Sequence, residues 1–185
     1  MARTDKSVWL QQGYSLFAAH GCSGLKVEVL ARIVGKSKSS FYHHFSDVEA
    51  FITLLLKMHN QRAAEMAEQL DAIAGGNGIL DQVLISFSVD LLFHRQLRVN
   101  RHVPEYQQCI AEVMAIIEPP FVQLLSDILD LSDSKPAVRS LFSFCVDHFL
   151  LKITATDFSS DWINQYYQDV SQLVKKLRSI PSGAF

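Results

Sequence analysis

The sequence predicts an all-α fold, with an N-terminal three-helix domain of helix-turn-helix type and a larger C-terminal helical domain. Three observations support this. Apolar residues recur at helical spacing along most of the chain, and no segment alternates convincingly as a strand does. Two short amphipathic segments flank a turn at residues 34–36. Longer helical segments begin just after residue 46, so the domains are expected at residues 1–46 and 47–185.

The first three helices are short and carry recognisable end signals. We expect the first from about Asp5 to His20, ended by the glycine that follows it. The second should span roughly Val27 to Val34, after which Gly35 supplies a left-handed turn residue. Ser37 can cap the third helix, which is expected over about Lys38 to Phe45.

The longer helices follow. The pattern of Ser46 and Glu49 is a capping box, which should start a fourth helix that runs to about residue 73. A glycine-rich break covers residues 74–78. Further helices are expected near residues 79–93, 103–117, 120–131, 136–155 and 160–179. The helix at 136–155 is apolar on a second face, through Phe144 and Leu151, and a second subunit is expected to cover that face.

Composition limits the classes of protein. Apolar residues make up 49% of the 185 residues, enough for a proper core. The three cysteines are far apart and form no CxxC pair, so we expect no zinc site, no disulfide framework and a reducing cytoplasm. No apolar run approaches the roughly 18 residues of a membrane span, and the start has no signal-peptide pattern. Neither a metal, a cofactor nor a membrane is therefore expected.

The charge is uneven along the chain. Residues 1–57 carry seven Lys/Arg and four Asp/Glu, a net charge of +3. The remaining residues carry ten and fifteen, a net charge of −5. A basic end on an acidic body fits a DNA-facing module, although many domains differ by as much.

A set of residues at fixed offsets links the first three helices to a known family. Leu16, Phe17 and Gly21 match the end of that family's first helix, and Val27, Leu30, Ala31, Val34 and Gly35 match its second. Residues 36–45 and then 46–49 match its turn and recognition helix. The chain resembles TetR-family transcriptional regulators specifically from about Trp9 to Phe51, and in architecture beyond that.

The resemblance implies a function. A homodimer would bind a near-palindromic operator in double-stranded DNA through the third helix, and a small-molecule effector would bind among the central helices. The protein would most simply be a repressor that its effector releases. The C-terminal domain would then hold both the effector site and the dimer interface.

Nine residues are expected to contact DNA. By resemblance Ser40, Tyr42 and His44 would bond phosphates, whereas Lys38, Ser39 and His43 lie nearest the base edges. The alternative is that Tyr42 and His44 only cover the helix-turn-helix core. The full set is Lys26, Lys36, Ser37, Lys38, Ser39, Ser40, Tyr42, His43 and His44.

Four positions depart from the family pattern. Lys26 stands where a threonine usually caps the second helix, which should weaken that helix start by roughly 1 kcal/mol. Lys36 replaces an apolar turn residue and should extend its head group outward. Ser39 replaces a glycine and could alter base preference. Val48 stands where a lysine often touches the DNA backbone.

The body supplies two further sets of candidates. Residues expected to line an effector pocket suit an apolar or aromatic molecule, with ordinary core packing as the alternative for each. They are Met58, His59, Phe87, Leu91, His94, Tyr106, Cys109, Met114 and Phe121. The residues expected at the dimer interface are Val138, Phe142, Cys145, Phe149, Trp162, Tyr166 and Val170. A basic cluster, Arg95, Arg98, Arg101 and His102, is either a solvated face, an acidic-effector site or a brace for the DNA-binding domain.

Two other functions compete. A helical-bundle enzyme such as a di-iron protein would need Glu-x-x-His pairs, and no histidine here has Asp or Glu three residues before it. Cys145, Asp147 and His148 are neighbours in sequence, but Asp147 falls off the apolar stripe that holds Cys145, so a catalytic triad is not expected. A helix-turn-helix protein that responds to a protein partner instead of a small molecule stays open.

Overall fold

The computed structural model describes residues 5–73, 80–129 and 135–179, and these form nine α-helices without a strand among them, which confirms the all-α prediction. The helices are α1 (Asp5–Gly24), α2 (Val27–Val34), α3 (Lys38–His44), α4 (Val48–Ile73), α5 (Leu80–Ser86), α6 (Ser88–Val99), α7 (Pro104–Ile128), α8 (Lys135–Lys152) and α9 (Ser160–Arg178).

Helices α1, α2 and α3 and the start of α4 pack around one aromatic cluster. The Trp9 ring meets Phe41 edge-on at 5.5 Å, and Phe51 of α4 lies 5.2 Å from Phe41 and 4.7 Å from Phe45. All four side chains are buried. Gly13 permits this packing, since a Cβ at that position would lie 2.3 Å from the Phe51 ring. The first turn of α4 therefore belongs to the core of the N-terminal helices.

The helix ends follow the predicted glycines closely. Gly21 has φ 65° and ψ −166°, so it interrupts the helical geometry as predicted, although α1 resumes and extends to Gly24. Gly35 has φ 71° and ends α2 in the left-handed region. The start of α4 differs from prediction by one residue. Asp47, not Ser46, caps it, because Asp47 Oδ1 accepts the Ala50 N–H at 2.7 Å and Ser46 only donates to Asp47 Oδ2.

Two predicted helix boundaries in the body are wrong. The helix expected near residues 79–93 is divided into α5 and α6 at Phe87, whose ring is buried beneath the Arg62 guanidinium. The helices expected at 103–117 and 120–131 are one helix, α7, which passes through Pro119 and Pro120. Its buried residues pack against α4 and α8, so tertiary packing holds the helix where local propensity would break it. The break predicted at 74–78 and the ends predicted at 79 and 131 lie outside the described residues.

Helix α7 is also long and apolar enough to cross a membrane, by length and composition only. Its best 18-residue window has a mean hydropathy of 1.4, and 39% of that window is buried. Since α7 lies between α4 and α8, we interpret it as a central core helix.

Candidate nucleic-acid interface and internal cavity

Helix α3 has a buried face and an exposed face. The Ser37 hydroxyl accepts the Ser40 N–H at 3.2 Å, which confirms Ser37 as the cap. The buried face holds Phe41, which is 1% exposed. Tyr42, on the other face, is 54% exposed and meets Phe41 only edge-on. The ring of Tyr42 is therefore largely accessible to a partner. Its exposure does not fit the alternative that Tyr42 only covers the helix-turn-helix core.

The remaining residues expected to contact DNA are mostly exposed. Lys26, Lys36, Ser37, Lys38, Ser39 and His43 are exposed, whereas Ser40 and His44 are half-buried. The His44 ring lies 6.1 Å from Phe45, so it both touches the core and reaches the surface. The Lys26 side chain makes no capping hydrogen bond to any described residue, as expected of a lysine at the start of α2.

Lys38 forms an ion pair within the site. Its Nζ donates to Glu28 Oε1 at 2.9 Å, and both side chains are exposed. The hydrogen bond raises the pKa of Lys38 and lowers that of Glu28. Exposed pairs of this kind contribute little to stability. The pair places the Lys38 amine beside α2.

The body contains a partly open cavity of about 140 Å³ between helices α4 to α9. Its walls are almost wholly apolar. Five of the nine residues expected to line an effector pocket line this cavity, namely His59, Leu91, His94, Met114 and Phe121. The cavity therefore lies where the sequence placed it, among the central helices.

The other four expected pocket residues lie elsewhere. Met58 lines a separate polar groove beside α1, and Phe87 packs beneath Arg62. Tyr106 packs edge-on against Phe17 of α1, 5.8 Å away. The Cys109 thiol donates to Asn60 Oδ1 at 3.4 Å on the side of α7 that faces α4. Three of these residues lie on helices of the cavity wall and Phe87 lies between two such helices, but none of the four lines the cavity.

The residues expected at the dimer interface face inward. Val138 and Phe142 are 0% and 5% exposed within the single chain, so in this conformation neither presents a surface to a partner. Cys145, Phe149, Tyr166 and Val170 are half-buried and line the cavity together with Phe142. Trp162 is half-buried and stacks on Tyr166 at 5.6 Å.

The outer face of α8 and α9 presents a different set of apolar residues. Phe144 is 70% exposed, Leu151 is 64% exposed and Leu173 of α9 is 46% exposed. Phe144 and Leu151 are seven residues apart and so share one face of α8. The regular apolar stripe of α8 belongs to the protomer core, and the second apolar face noted in the sequence is the outer one.

A buried polar network that the sequence did not predict lies between α1 and the cavity. The Arg62 guanidinium donates from Nε to Asp90 Oδ1 at 3.1 Å and from Nη2 to Asp90 Oδ2 at 3.0 Å. The Tyr14 hydroxyl donates to Asp90 Oδ1 at 2.7 Å and also contacts His59 Nδ1 at 2.7 Å. His59 Nε2 lies 3.1 Å from His94 Nδ1. The network joins α1, α4 and α6.

Burial keeps the rings of this network neutral. Loss of solvent lowers the pKa of His59 to about 4 and that of His94 well below its usual value. Burial and the neighbouring Asp90 carboxylate raise the pKa of Tyr14. The only formal charges within this group of five residues are therefore those of the Arg62–Asp90 pair.

The basic cluster does not act as one unit. Arg98 forms an ion pair with Asp147 of α8, and burial lowers the pKa of Arg98. Arg95 is half-buried, whereas Arg101 and His102 are exposed at the end of α6 and in the following turn. Arg98 thus ties α6 to α8 and is not part of a solvated face.

Comparison with known proteins gives the following. No family model matches the chain. The HTH-type transcriptional repressor AcnR of Corynebacterium glutamicum is 37% identical over 167 residues, which cover 86% of this chain and 87% of that protein. AcnR of Corynebacterium diphtheriae is 40% identical over 65 residues, which cover 35% of this chain and only 30% of that relative.

Among solved structures, a putative TetR-family regulator from Mesorhizobium loti has a TM-score of 0.61 at 14% identity, covering 94% of this chain and 96% of its own. The multidrug binding protein EbrR complexed with imidazole has a TM-score of 0.52 at 14% identity, covering 99% of both chains. At such identities these two structures support the fold.

Proposed function

The chain belongs to the TetR family of transcriptional regulators, and from that premise we propose that it is a sequence-specific DNA-binding repressor that acts as a homodimer and is released by a small apolar effector. The observation that carries the proposal is the exposed polar face of α3 above a buried aromatic core. As a DNA-binding regulator it would act in the cytoplasm. Regulators of this family are normally not enzymes, and we propose no catalytic activity.

The proposed contacts with DNA divide into two groups. Ser40, Tyr42 and His44 would bond phosphates and fix the position of α3 in the major groove. Lys38, Ser39 and His43 would lie nearest the base edges, where the lysine can donate to guanine O6 and N7. Lys26, Lys36 and Ser37 would add contacts at the ends of α2 and α3.

The proposed effector site is the cavity. Its apolar walls and its size, close to that of a protein cavity that binds benzene, favour a small apolar or aromatic molecule. Helix α4 connects this site to the DNA-binding helices, since it contributes Phe51 to their core and His59 to the cavity wall. A ligand that displaces α4 would change the spacing of the two recognition helices. A cavity with apolar walls favours this mechanism over regulation by a protein partner.

The proposed dimer uses the outer face of α8 and α9. Phe144 and Leu151 present large apolar side chains to solvent on one face of α8, and exposed apolar surface of this kind commonly marks an interface between proteins. A two-fold dimer would place two copies of α3 on half-sites about one helical turn apart or somewhat more. This proposed interface differs from the one expected from the inner stripe.

DNA binding is tested by selecting bound sequences from random DNA and then titrating the selected duplex at several salt concentrations. We expect a near-palindromic site, with log affinity that falls steeply with log salt. Lys38→Ala should lose affinity for the selected site by roughly tenfold or more and relax one position of the site, because a base contact is worth about 1–3 kcal/mol.

The control is Lys152→Ala, an exposed lysine at the end of α8, which should bind as the unmodified protein does. A flat salt dependence, or the absence of any enriched sequence, would contradict the proposed function. An equal loss across all sequences for Lys38→Ala would instead place that lysine on a phosphate.

A further inference from the structure

One acidic side chain lies on the surface that is proposed to face DNA. Between residues 26 and 44 the sequence holds a single acid, Glu28, and four bases, Lys26, Arg32, Lys36 and Lys38. The Glu28 carboxylate accepts from Lys38 Nζ at 2.9 Å, and the two side chains are 61% and 56% exposed. A carboxylate repels phosphates, so phosphate binding does not account for an acid at this place.

The pair lies on the exposed side of the helix-turn-helix. Lys38 and Tyr42 are four residues apart on α3 and so share one face of that helix, opposite to the buried Phe41 ring. Glu28 belongs to the first turn of α2 and meets this face through its bond to Lys38. The ammonium and carboxylate groups therefore stand side by side at the surface, beside the proposed phosphate contact of Tyr42.

A structural role is the alternative for Glu28. The Lys26 side chain gives α2 no capping hydrogen bond, and an acid in the first turn is favourable next to the positive end of a helix. The pKa of Glu28 is lowered first by the hydrogen bond from Lys38 and then by its own backbone N–H. The contact with Lys38 is thus the larger influence on this carboxylate, although exposed pairs add little to stability.

The pair presents a donor next to an acceptor. In the major groove a G·C pair exposes the guanine O6 acceptor next to the cytosine N4–H donor. Those two atoms are hydrogen-bonded to each other, so they too are about 2.9 Å apart. The Lys38 ammonium can donate to O6 while the Glu28 carboxylate accepts the second N4 hydrogen, since the ammonium has three donors and the carboxylate several lone pairs.

We propose that Glu28 is a specificity-determining residue, and that Glu28 and Lys38 together read one G·C base pair of the operator in a single orientation, with the lysine on guanine and the glutamate on cytosine. This inference rests on the proposed function, because it takes α3 to lie in the major groove. It adds the identity of one base pair and a residue of α2 that reads it.

The other three base pairs fit the two groups less well. A reversed pair, C·G, sets the N4 hydrogens against the ammonium and O6 against the carboxylate. An A·T pair with adenine on the lysine side makes the same mismatch through N6 and O4. A T·A pair keeps both hydrogen bonds but replaces guanine N7, a second acceptor for the lysine, by the thymine methyl group. The expected order is G·C, then T·A, then the other two.

The first test is the order of affinities. Sequences bound by the full chain are selected from random DNA, and the position at which Lys38→Ala relaxes the preference is identified. Four duplexes then carry each base pair at that position in both half-sites, and fluorescence anisotropy titration at one salt concentration gives the affinities. We expect C·G to bind at least roughly tenfold more weakly than G·C. Equal affinities, or a preference for A·T or C·G, would overturn the inference.

The second test is Glu28→Gln, which keeps the size of the side chain but removes its charge. The amide can rotate to present either a donor or an acceptor, so it no longer separates G·C from C·G. The ratio of those two affinities should fall by roughly tenfold. An equal gain on all four duplexes would show that Glu28 acts only by repelling phosphates. An equal loss on all four, with a lower free energy of unfolding in urea, would show the structural role. Either result would overturn the inference.

Two further variants serve as controls. Glu49→Gln removes the same charge from an exposed acid in the first turn of α4, and it should leave the ratio unchanged. In a Lys38→Ala background, Glu28→Gln should change the ratio much less, because two residues that act as a pair are not additive. Additive effects, or an equal fall for Glu49→Gln, would refute the paired reading.

The outcomes separate this inference from the proposed function. The absence of any enriched sequence would overturn both. An enriched near-palindrome whose preferences survive Glu28→Gln would leave the DNA-binding proposal intact and overturn only the reading of a base pair by Glu28.

Discussion

The two halves of this molecule are packed in opposite ways. The N-terminal helices close around tilted and edge-on aromatic rings, with Trp9 and Phe41 essentially unexposed. The body surrounds an apolar cavity, and beside it lies a buried chain of polar groups from Arg62 to His94. A DNA-reading surface needs rigid support, whereas a site for an effector needs room and an element that can move. The difference in packing follows that division of labour.

The largest expected effect tests how tightly the aromatic core of the N-terminal helices is packed. Phe41→Ala removes a ring that touches Trp9, Phe45 and Phe51, and it should lower the free energy of unfolding by about 3–5 kcal/mol. Phe149→Ala in the cavity wall should cost only about 1–2 kcal/mol, because that side chain is half-buried and already borders empty space. Urea denaturation of both proteins measures the two values.

Equal losses for the two substitutions would contradict the contrast between a packed and a hollow half. A larger loss for Phe149→Ala would show that the aromatic contacts of α8 with α9 carry more of the stability than the N-terminal cluster does.

The two halves also differ in how far the sequence predicts them. In the N-terminal helices, Gly21, Gly35 and Ser37 act through their own backbone or the next turn, so their roles can be predicted from the sequence. The sequence predicts Ser46 as the cap of α4, whereas Asp47 supplies it, because serine and aspartate can both accept the same N–H groups. Such errors are small because the competing alternatives are adjacent.

In the body the errors are larger and have a different cause. Met58 and His59 are adjacent on α4, yet only His59 reaches the cavity, because the rotation of a helix about its axis is set by its neighbours. The contact between His59 and His94 spans 35 residues and leaves no periodic signal. The inner and outer apolar faces of α8 look alike in sequence, and only the position of α7 distinguishes them.

The second prediction concerns the buried chain of polar groups that runs from Arg62 to His94. His59 has a pKa of about 4 in the folded protein against 6.5 for a solvated histidine. Between those values the unfolded chain binds a proton that the folded chain does not, so stability is fully present above pH 6.5 and is lost as the pH falls to 4. The loss should be about 3 kcal/mol from this residue.

The measurement is urea denaturation at pH 7.5, 5.5 and 4.5, compared with His59→Gln. Carboxylates titrate in the same window, so the quantity of interest is the difference in slope between the two proteins. The variant should be less stable at pH 7.5 but lose less stability on acidification. Parallel curves would mean that His59 is protonated or solvated in the folded state.

The smallest expected effect sharpens the comparison within one helix, α8, whose inner face lines the cavity and whose outer face is exposed. Leu151→Ala on the outer face should weaken dimerisation by roughly tenfold, about 1.4 kcal/mol, as loss of a well-packed interface side chain does. Phe149→Ala on the inner face should leave the dimer constant unchanged. Sedimentation equilibrium over a range of concentrations measures both. If the inner substitution dissociates the dimer and the outer one does not, the regular stripe of α8 is the interface after all, and the cavity would have to be closed in the dimer.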